Sequence, residues 1–224
     1  MIKFKVLVAG ALYACCLSVQ AAPVTYIAAD DNVTTLAEMV NSQAAQAAFL
    51  AVTGPLDVVN FDDPIPANIT ITGGTTTNVG SCGALCGFNT TGGGGPGFFR
   101  EVFGGSVTFT FTDPVDAFGF YVNGLQTDLV PQQTIVYTDG SSVTQIIDMP
   151  TAINGGGAFV GFVDFGQQIL SVTFNATNDI LGFDDLLYGN SATDPGNDVP
   201  EPGSLALLGL GLAGFGLARR RRRA

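Results

Sequence analysis

The feature that most restricts the fold of this chain is a period-two alternation of large apolar residues with small polar ones. Val107, Phe109 and Phe111 alternate with threonines, and the segments 118–122 and 170–174 repeat the pattern. Residues two positions apart lie on the same face of a β-strand, whereas on a helix they point in different directions. The pattern therefore predicts strands that each bury one face.

Turn-forming dipeptides separate these segments. Gly73-Gly74, Gly104-Gly105, Asn123-Gly124 and Asp139-Gly140 stand between the alternating runs, as does the stretch 154–157. Such dipeptides at a strand end favour a tight turn. About ten short strands at this spacing predict a mainly β fold, an antiparallel β-sandwich or jelly roll with phenylalanines as the core between two sheets.

One segment, 32–52, has the pattern of a helix. Thr35 and Glu38 have the spacing of a capping box, in which the threonine is the N-cap residue and the glutamate reaches back to it. Gly54-Pro55 is a helix stop signal. The predicted apolar face of this N-terminal helix consists of Leu36, Met39, Val40, Ala47 and Leu50.

The N-terminus is typical of a secretory signal peptide. Lys3 and Lys5 precede the apolar stretch 6–17, and Val19-Gln-Ala21 meets the small-residue rule for signal peptidase, which would cut before residue 22. Residues 1–21 are therefore predicted to direct export. Two alternatives stay open: a membrane anchor, for which the apolar run is short, and lipoprotein processing at Leu12-Tyr-Ala-Cys15, where the tyrosine fits poorly.

Removal of residues 1–21 would leave two cysteines, Cys82 and Cys86. In an exported protein two nearby cysteines most often form a disulfide, so this pair is predicted to staple an irregular, mobile loop over 73–97. Metal binding by the pair is the weaker alternative, because two thiolates rarely suffice and the chain has no histidine to complete a site.

The charge distribution limits the chemistry of the segment between the two ends. All 19 acidic residues lie between Asp30 and Glu201, where Arg100 is the only cation, so this segment carries a formal charge of −18. It is expected to repel nucleic acid and to attract Ca²⁺. The lack of histidine excludes Ser-His-Asp and Cys-His catalysis. We therefore expect a protein that is not an enzyme and that has no catalytic residues.

Two aspartate pairs are the one constellation that suggests ligand chemistry. Asp62 and Asp63 follow the first predicted strand of the sandwich, and Asp184 and Asp185 lie in the last. If these strands are neighbours, the four carboxylates could converge and bind Ca²⁺, which prefers six to eight oxygen ligands; no other cofactor is expected. The alternatives are solvated turns or strand-end caps and, as a distant third, the paired carboxyl groups of a glycoside hydrolase.

Three tyrosines and one ion pair complete the candidate residues. Tyr121, Tyr137 and Tyr188 could stack on sugar rings, although tyrosines in strands are more often ordinary residues at the edge of a core. Glu101 adjoins Arg100 and is predicted to be its ion-pair partner.

The C-terminus, residues 199–224, has three parts in a fixed order. A proline-punctuated stem precedes an apolar stretch, 205–218, that is predicted to be a transmembrane helix and is short for a span, since 14 helical residues reach about 21 Å. A basic cluster follows and predicts a cytoplasmic C-terminus. The stem contains Pro200, Glu201 and Pro202, and the cluster contains Arg219, Arg220, Arg221, Arg222 and Arg223. A plain single-pass anchor is the alternative.

These three parts resemble the PEP-CTERM sorting signal. The resemblance implies a Gram-negative bacterium, passage through the inner membrane as a single-pass intermediate, and cleavage by an exosortase at or near the Pro-Glu-Pro stretch. It also implies a destination at the cell surface or in the extracellular matrix, and an association with exopolysaccharide and biofilm. The partners expected on this basis are signal peptidase, the exosortase and exopolysaccharide.

The segment upstream is similar to a β-sandwich module often found before this signal, and its last strand is similar to the closing strand of carbohydrate-binding jelly rolls. The predicted organisation is a signal peptide (1–21), an N-terminal segment with the helix (22–55), the sandwich (56–190), a linker (191–198) and the sorting signal (199–224). The matching segments are 48–51, 59–63, 117–122, 159–162, 169–174 and 181–189.

Overall fold

The computed structural model of the chain describes residues 23–91, 97–126, 132–146, 155–165 and 167–192. The predicted signal peptide, most of the linker and the whole predicted sorting signal, with its apolar stretch and arginine cluster, lie outside the described residues. No helix within the described ranges is long and apolar enough to cross a membrane.

The described residues form strands, one α-helix and a 3₁₀ turn. In chain order the elements are β1 (Val24–Asp30), the 3₁₀ turn (Leu36–Glu38), α1 (Val40–Leu50), β2 (Thr53–Val59), β3 (Ile69–Thr72), β4 (Thr75–Thr77), β5 (Ser81–Ala84), β6 (Phe99–Val115), β7 (Ala117–Leu125), β8 (Gln132–Tyr137), β9 (Ser142–Ile146), β10 (Gly156–Val163) and β11 (Ile169–Ser191). The mainly β, antiparallel prediction is confirmed.

The sandwich is one continuous sheet that folds over itself, rather than the two separate sheets predicted. The first layer has the order β1-β10-β7-β11, with β2 on the C-terminal part of β11, and the second joins β3 to β6, β11, β8 and β9. The long strands β6 and β11 run through both layers, and their pairing shifts register between Asn175 and Ile180. Opposite this shift Gly104 and Gly105 have φ of 60° and 71°, so the predicted turn is a bend inside β6.

Phenylalanines pack between the two layers, as the alternation predicts. Phe109 of β6 lies 5.5 Å, centroid to centroid, from Phe118 of β7, and Phe120 lies 5.5 Å from Phe174 of β11. All four side chains are fully buried. One exception is Leu170, which is 38% exposed because the β11 ladder skips it between Ile169 and Ser171.

The outer face of the first layer is also buried, because α1 covers it. Phe49 of α1 packs 5.6 Å from the ring of Phe159 on β10. Gly119 leaves the room for these rings, since a Cβ there would lie 2.8 Å from the Phe159 ring. Strands β7 and β10 are therefore buried on both faces.

The helix is shorter than predicted and presents a different face. The capping-box glutamate, Glu38, accepts hydrogen bonds from the backbone N–H groups of Thr34 and Thr35, but it closes the 3₁₀ turn rather than α1. Of the predicted apolar face, Val40 and Leu50 are 67% and 45% exposed. The buried residues of the segment 32–52 are Val33, Met39, Ser42 and Phe49.

Strand β1, which the sequence analysis did not predict, ties the N-terminal segment to the sheet. It pairs with β10 over its whole length, from Val24 opposite Val163 to Asp30 opposite Gly157. The Asp30 carboxylate then accepts hydrogen bonds from the backbone N–H groups of Asn41 and Ser42, so the cap of α1 comes from the end of a strand. Burial alone would raise the pKa of Asp30, but the hydrogen bonds from Ser42 and Asn41 outweigh it and lower that pKa.

Candidate functional site

One aspartate pair follows β2 and the other lies within its neighbour β11, and the two strands are adjacent as predicted. Strand β2 pairs with β11, with Val59 opposite Leu186, so Asp62 lies in the loop that leaves β2 next to the strand that carries Asp184 and Asp185. The ladder between β11 and β7 shifts register between Asp184 and Leu187. Asp185 stands at this shift with φ of 45°, a left-handed backbone that non-glycine residues rarely adopt.

Asp184 and Asp185 hold the segment 90–91 against the sheet. Oδ2 of Asp184 accepts hydrogen bonds from the backbone N–H of Thr90, at 2.6 Å, and of Thr91, at 3.3 Å. Asp185 accepts from the hydroxyls of the same two threonines, at 3.1 Å and 2.9 Å. The two carboxyl groups therefore hold Thr90 and Thr91, which are more than 90 residues away in sequence, by accepting their hydrogen bonds.

Asp62 holds the chain on the other side of the same loop, and Asp63 does not take part. Oδ1 of Asp62 accepts a hydrogen bond from the backbone N–H of Phe98 at 2.6 Å, and Oδ2 lies 3.5 Å from the side-chain nitrogen of Asn89. Asp63 is instead bound by its neighbour Asn60. Three of the predicted carboxylates thus contact residues 89–91 and 98, and the fourth is part of a local turn.

Burial controls the protonation of the convergent pair. Loss of solvent around Asp184 raises its pKa to about 8, and the nearby charge of Asp185 adds to this effect. Burial also raises the pKa of Asp185, with a further contribution from the charge of Asp62. Both shifts favour the protonated, uncharged form of these carboxyl groups.

The described residues contain no group of three or more His, Cys, Asp or Glu side chains arranged to hold a metal ion. Calcium binding by Asp62, Asp63, Asp184 and Asp185 stays a prediction.

The predicted ion pair of Arg100 and Glu101 is wrong, because consecutive residues of β6 point to opposite faces. Nε of Arg100 donates to the carbonyl of Gly73, at 2.8 Å. Glu101 is 3% exposed and accepts hydrogen bonds from the backbone N–H and hydroxyl of Ser81, at 2.7 and 2.8 Å. Glu101 therefore anchors β5 to β6.

The disulfide between Cys82 and Cys86 is confirmed, with a Cα–Cα distance of 5.3 Å. The surrounding segment is not the irregular loop predicted: β4 pairs with β6, and Phe88 is clamped by Asn123, whose side chain both accepts from and donates to its backbone, at 3.0 and 2.9 Å. Residues 92–96, four glycines and a proline, lie outside the described residues. We call residues 78–91, which are held by these contacts, the disulfide hairpin.

A groove of about 420 Å³ runs along the disulfide hairpin. Its described lining contains no charged side chain and combines amides, a hydroxyl, apolar groups and the backbone of several glycines. Among the lining residues are Asn78, Val79, Gly83, Phe88, Asn89 and Thr91.

The three candidate tyrosines belong to the core and cannot stack on a ligand. Tyr121, Tyr137 and Tyr188 are 1%, 4% and 2% exposed. Burial raises the pKa of all three phenols, and the Tyr137 hydroxyl donates to Asp164. Among the described residues, the most exposed aromatic side chains are Phe98 and Phe103, 39% and 59% exposed, which the sequence analysis did not single out.

The most informative comparison concerns the C-terminus. A family model described as "PEP-CTERM protein-sorting motif" matches residues 198–223. The chain carries a PEP-CTERM sorting motif. This agrees with the predicted signal over 199–224 to within one residue at each end. The PEP-CTERM motif implies a secreted protein that is anchored in a membrane transiently and is processed by an exosortase.

Comparison of the fold finds distant carbohydrate-binding modules. A family 29 carbohydrate-binding module is 12% identical over 64% of this chain and 97% of its own, with a TM-score of 0.36. A mutant of the module CBM29-2, complexed with mannohexaose, is 13% identical over 64% of this chain and 100% of its own, with a TM-score of 0.37. Likeness at this level carries no functional conclusion. No curated protein matches the chain.

Proposed function

We propose that this protein is a non-catalytic component of the cell surface or extracellular matrix of a Gram-negative bacterium. An exosortase sorts it through the inner membrane, and its β-sandwich then contacts exopolysaccharide. The observation that carries the proposal is the PEP-CTERM motif at residues 198–223, downstream of the folded domain.

The domain suits an extracellular location. Its disulfide, Cys82–Cys86, is the kind of crosslink that persists in oxidising compartments. The segment between Asp30 and Glu201 carries 19 acidic residues and one cation, so it repels anionic polymers and lipid headgroups. A neutral or cation-bridged polysaccharide fits this charge better than nucleic acid does.

The placement of the carboxylates supports a role without catalysis. A glycosidase needs two carboxyl groups that flank the sugar. Asp184 has no exposed surface, and Glu101 is buried and bound by Ser81, so neither can reach a substrate in this conformation. The Asp62 carboxylate is bound by the backbone N–H of Phe98, so its contact in this structure is a structural one.

The sorting step is tested by replacing Pro200, Glu201 and Pro202 with alanine. We expect normal export but retention at the inner membrane with the C-terminal segment still attached, because the exosortase no longer finds its motif. The matched control replaces Asp194-Pro-Gly196, a similar triplet upstream of the motif, and should leave sorting unchanged. Normal release of the motif variant would refute exosortase sorting.

The matrix role is tested by fractionation and by deletion. The protein should co-purify with the exopolysaccharide fraction of the wild-type strain, and cells that lack it should form weaker aggregates. A protein absent from that fraction, together with normal aggregation of the deletion strain, would overturn the matrix role. Release of reducing sugar from the native polysaccharide by the purified protein would replace it with a hydrolase.

A second candidate is a calcium-dependent carbohydrate-binding module. The observation that favours it is that Asp62, Asp184 and Asp185 all accept hydrogen bonds from residues 90, 91 and 98. A calcium titration, described in the Discussion, tests it.

A further inference from the structure

We propose that the groove along the disulfide hairpin is a binding site for a neutral saccharide chain. This inference rests on the proposed function, to which it adds a site and a ligand class. Three features of the described residues support it: the chemistry of the lining, the rigidity of the walls and the position of the groove relative to the chain exit.

The lining selects for a neutral, polar ligand. Asn78, Asn89 and Thr91 supply amide and hydroxyl groups, and the glycines leave backbone N–H and C=O groups uncovered. Val79 and Phe88 supply apolar surface. A saccharide has both hydroxyl groups and apolar C–H faces, whereas an ionic ligand would find no charged partner among the lining residues. The volume, about 420 Å³, is within the usual range for small-ligand sites.

The walls of the groove are fixed before any ligand arrives. The disulfide closes the hairpin at one side, and the Asn123 amide clamps Phe88 to β7. Asp184 and Asp185 accept hydrogen bonds from Thr90 and Thr91, and so hold this segment to β11. A preformed site loses little conformational entropy on binding, so more of the free energy of its contacts is available as affinity.

The groove lies at the end of the first layer opposite to the chain exit. The row of residues Val24, Val163, Ala117 and Gly189 runs across β1, β10, β7 and β11, and the chain leaves the sheet after Ser191 towards the sorting motif. Asn123, which holds the hairpin, lies six residues along β7 from Ala117, about 20 Å away. A protein tethered by its C-terminus would thus keep the groove remote from the tether.

Charge makes an anionic polymer the less suitable occupant. The flanking carboxylates of Asp62 and Asp185 and the overall excess of acidic residues would repel it, and the lining offers no lysine or arginine.

Two glycines give a matched test of the site. Gly83, in the groove, and Gly140, in the β8–β9 turn, have φ of 74° and 85°, and an added Cβ at either position would meet no atom within 4 Å. Asparagine tolerates this left-handed backbone better than most residues. Gly83→Asn therefore adds bulk to the groove, and Gly140→Asn adds the same bulk elsewhere at the same backbone cost.

The measurement is calorimetric titration of the full chain, kept in a detergent without a sugar headgroup, with neutral hexasaccharides of glucose, mannose and galactose and with hexagalacturonate. We expect at least one neutral hexasaccharide to bind and the anionic one not to. Gly83→Asn should raise the dissociation constant by about tenfold or more, and Gly140→Asn should change it by less than about twofold. Val79→Glu, at a side chain 68% exposed, is a second groove variant, with Val58→Glu, 50% exposed, as its control.

The outcomes separate the two proposals. Binding that neither groove variant weakens, or equal binding of hexagalacturonate, would overturn the groove as a neutral-saccharide site. So would the absence of binding to every neutral hexasaccharide while the protein still fractionates with the matrix. A protein missing from the matrix fraction, together with normal aggregation of the deletion strain, would instead refute the proposed function itself.

Discussion

Replacement of Asp184 by asparagine should remove a pH-dependent loss of stability from this domain. Asp184 has no exposed surface, and burial followed by the charge of Asp185 raises its pKa from the ordinary 3.8 to about 8. Between these two values the folded state binds more protons than the unfolded state, so protonation favours folding. The stability is therefore fully present below pH 3.8 and is lost as the pH rises towards about 8.

The expected magnitude follows from the pKa difference. Each pH unit in this window lowers the free energy of unfolding by about 1.4 kcal/mol, and the whole window by on the order of 5 kcal/mol. That is a large fraction of the total stability of a typical domain, about 5–15 kcal/mol. Asparagine has no charge to bury, and its oxygen can accept the backbone N–H of Thr90. Its amide nitrogen loses the bond that Oδ1 accepts from the backbone N–H of Asp185, at a cost of about 1–3 kcal/mol, which is smaller than the gain. The variant should be the more stable protein at pH 8.

Urea unfolding of the oxidised protein at pH 5, 6, 7 and 8 measures the effect. The chain has no histidine, so no side chain with an ordinary pKa near 6.5 contributes to the slope. Asp139→Asn is the control, since it removes one carboxylate from an exposed turn where Ser141 lowers its pKa. A wild-type slope near zero between pH 5 and 8, or a slope that Asp184→Asn leaves unchanged, would refute the reasoning.

Two further predictions concern the disulfide and calcium. The exported protein should contain no free thiol at Cys82 or Cys86, and reduction should lower the free energy of unfolding by about 2 kcal/mol on the chain-entropy account, because the closed loop is short; alkylation of both cysteines without reductant would contradict this. If the aspartate pairs bind calcium, the ion should raise the melting temperature relative to a chelator, and Asp62→Asn should reduce the rise. An identical melting temperature with and without calcium would end that hypothesis.

Much of the β-sandwich was predictable because its signal is local. A strand that buries one face must alternate apolar and polar residues, and Phe109 and Phe111 do so within a few positions. The same reasoning fails on strands buried on both faces: β7 has no polar face because α1 covers it, so the Tyr121 side chain packs under the helix instead of reaching solvent. Whether a helix packs on the second face of a strand depends on tertiary packing and not on the sequence of the strand itself.

The contacts that build the site were not predictable, because each joins residues far apart in the chain. Asn123 precedes a glycine and has the pattern of a turn, yet it lies inside β7 and clamps Phe88, 35 residues away. The Asp184 carboxylate meets a backbone N–H 94 residues away. The sequence analysis proposed calcium as the partner of the aspartate pairs, because backbone donors such as the N–H of Thr90 cannot be recognised from the sequence.

The end of β11 shows why removal of the sorting signal need not disturb the domain. Asp116, between β6 and β7, accepts hydrogen bonds from the backbone N–H of Ser191, at 2.5 Å, and from its hydroxyl, at 2.8 Å. The backbone N–H of Ala192 donates to the carbonyl of Val52. These bonds fasten the chain to the sheet before the matched motif begins at residue 198. Cleavage at Pro200–Pro202 would leave these bonds in place, so the attachment of β11 to the sheet does not depend on the exosortase step.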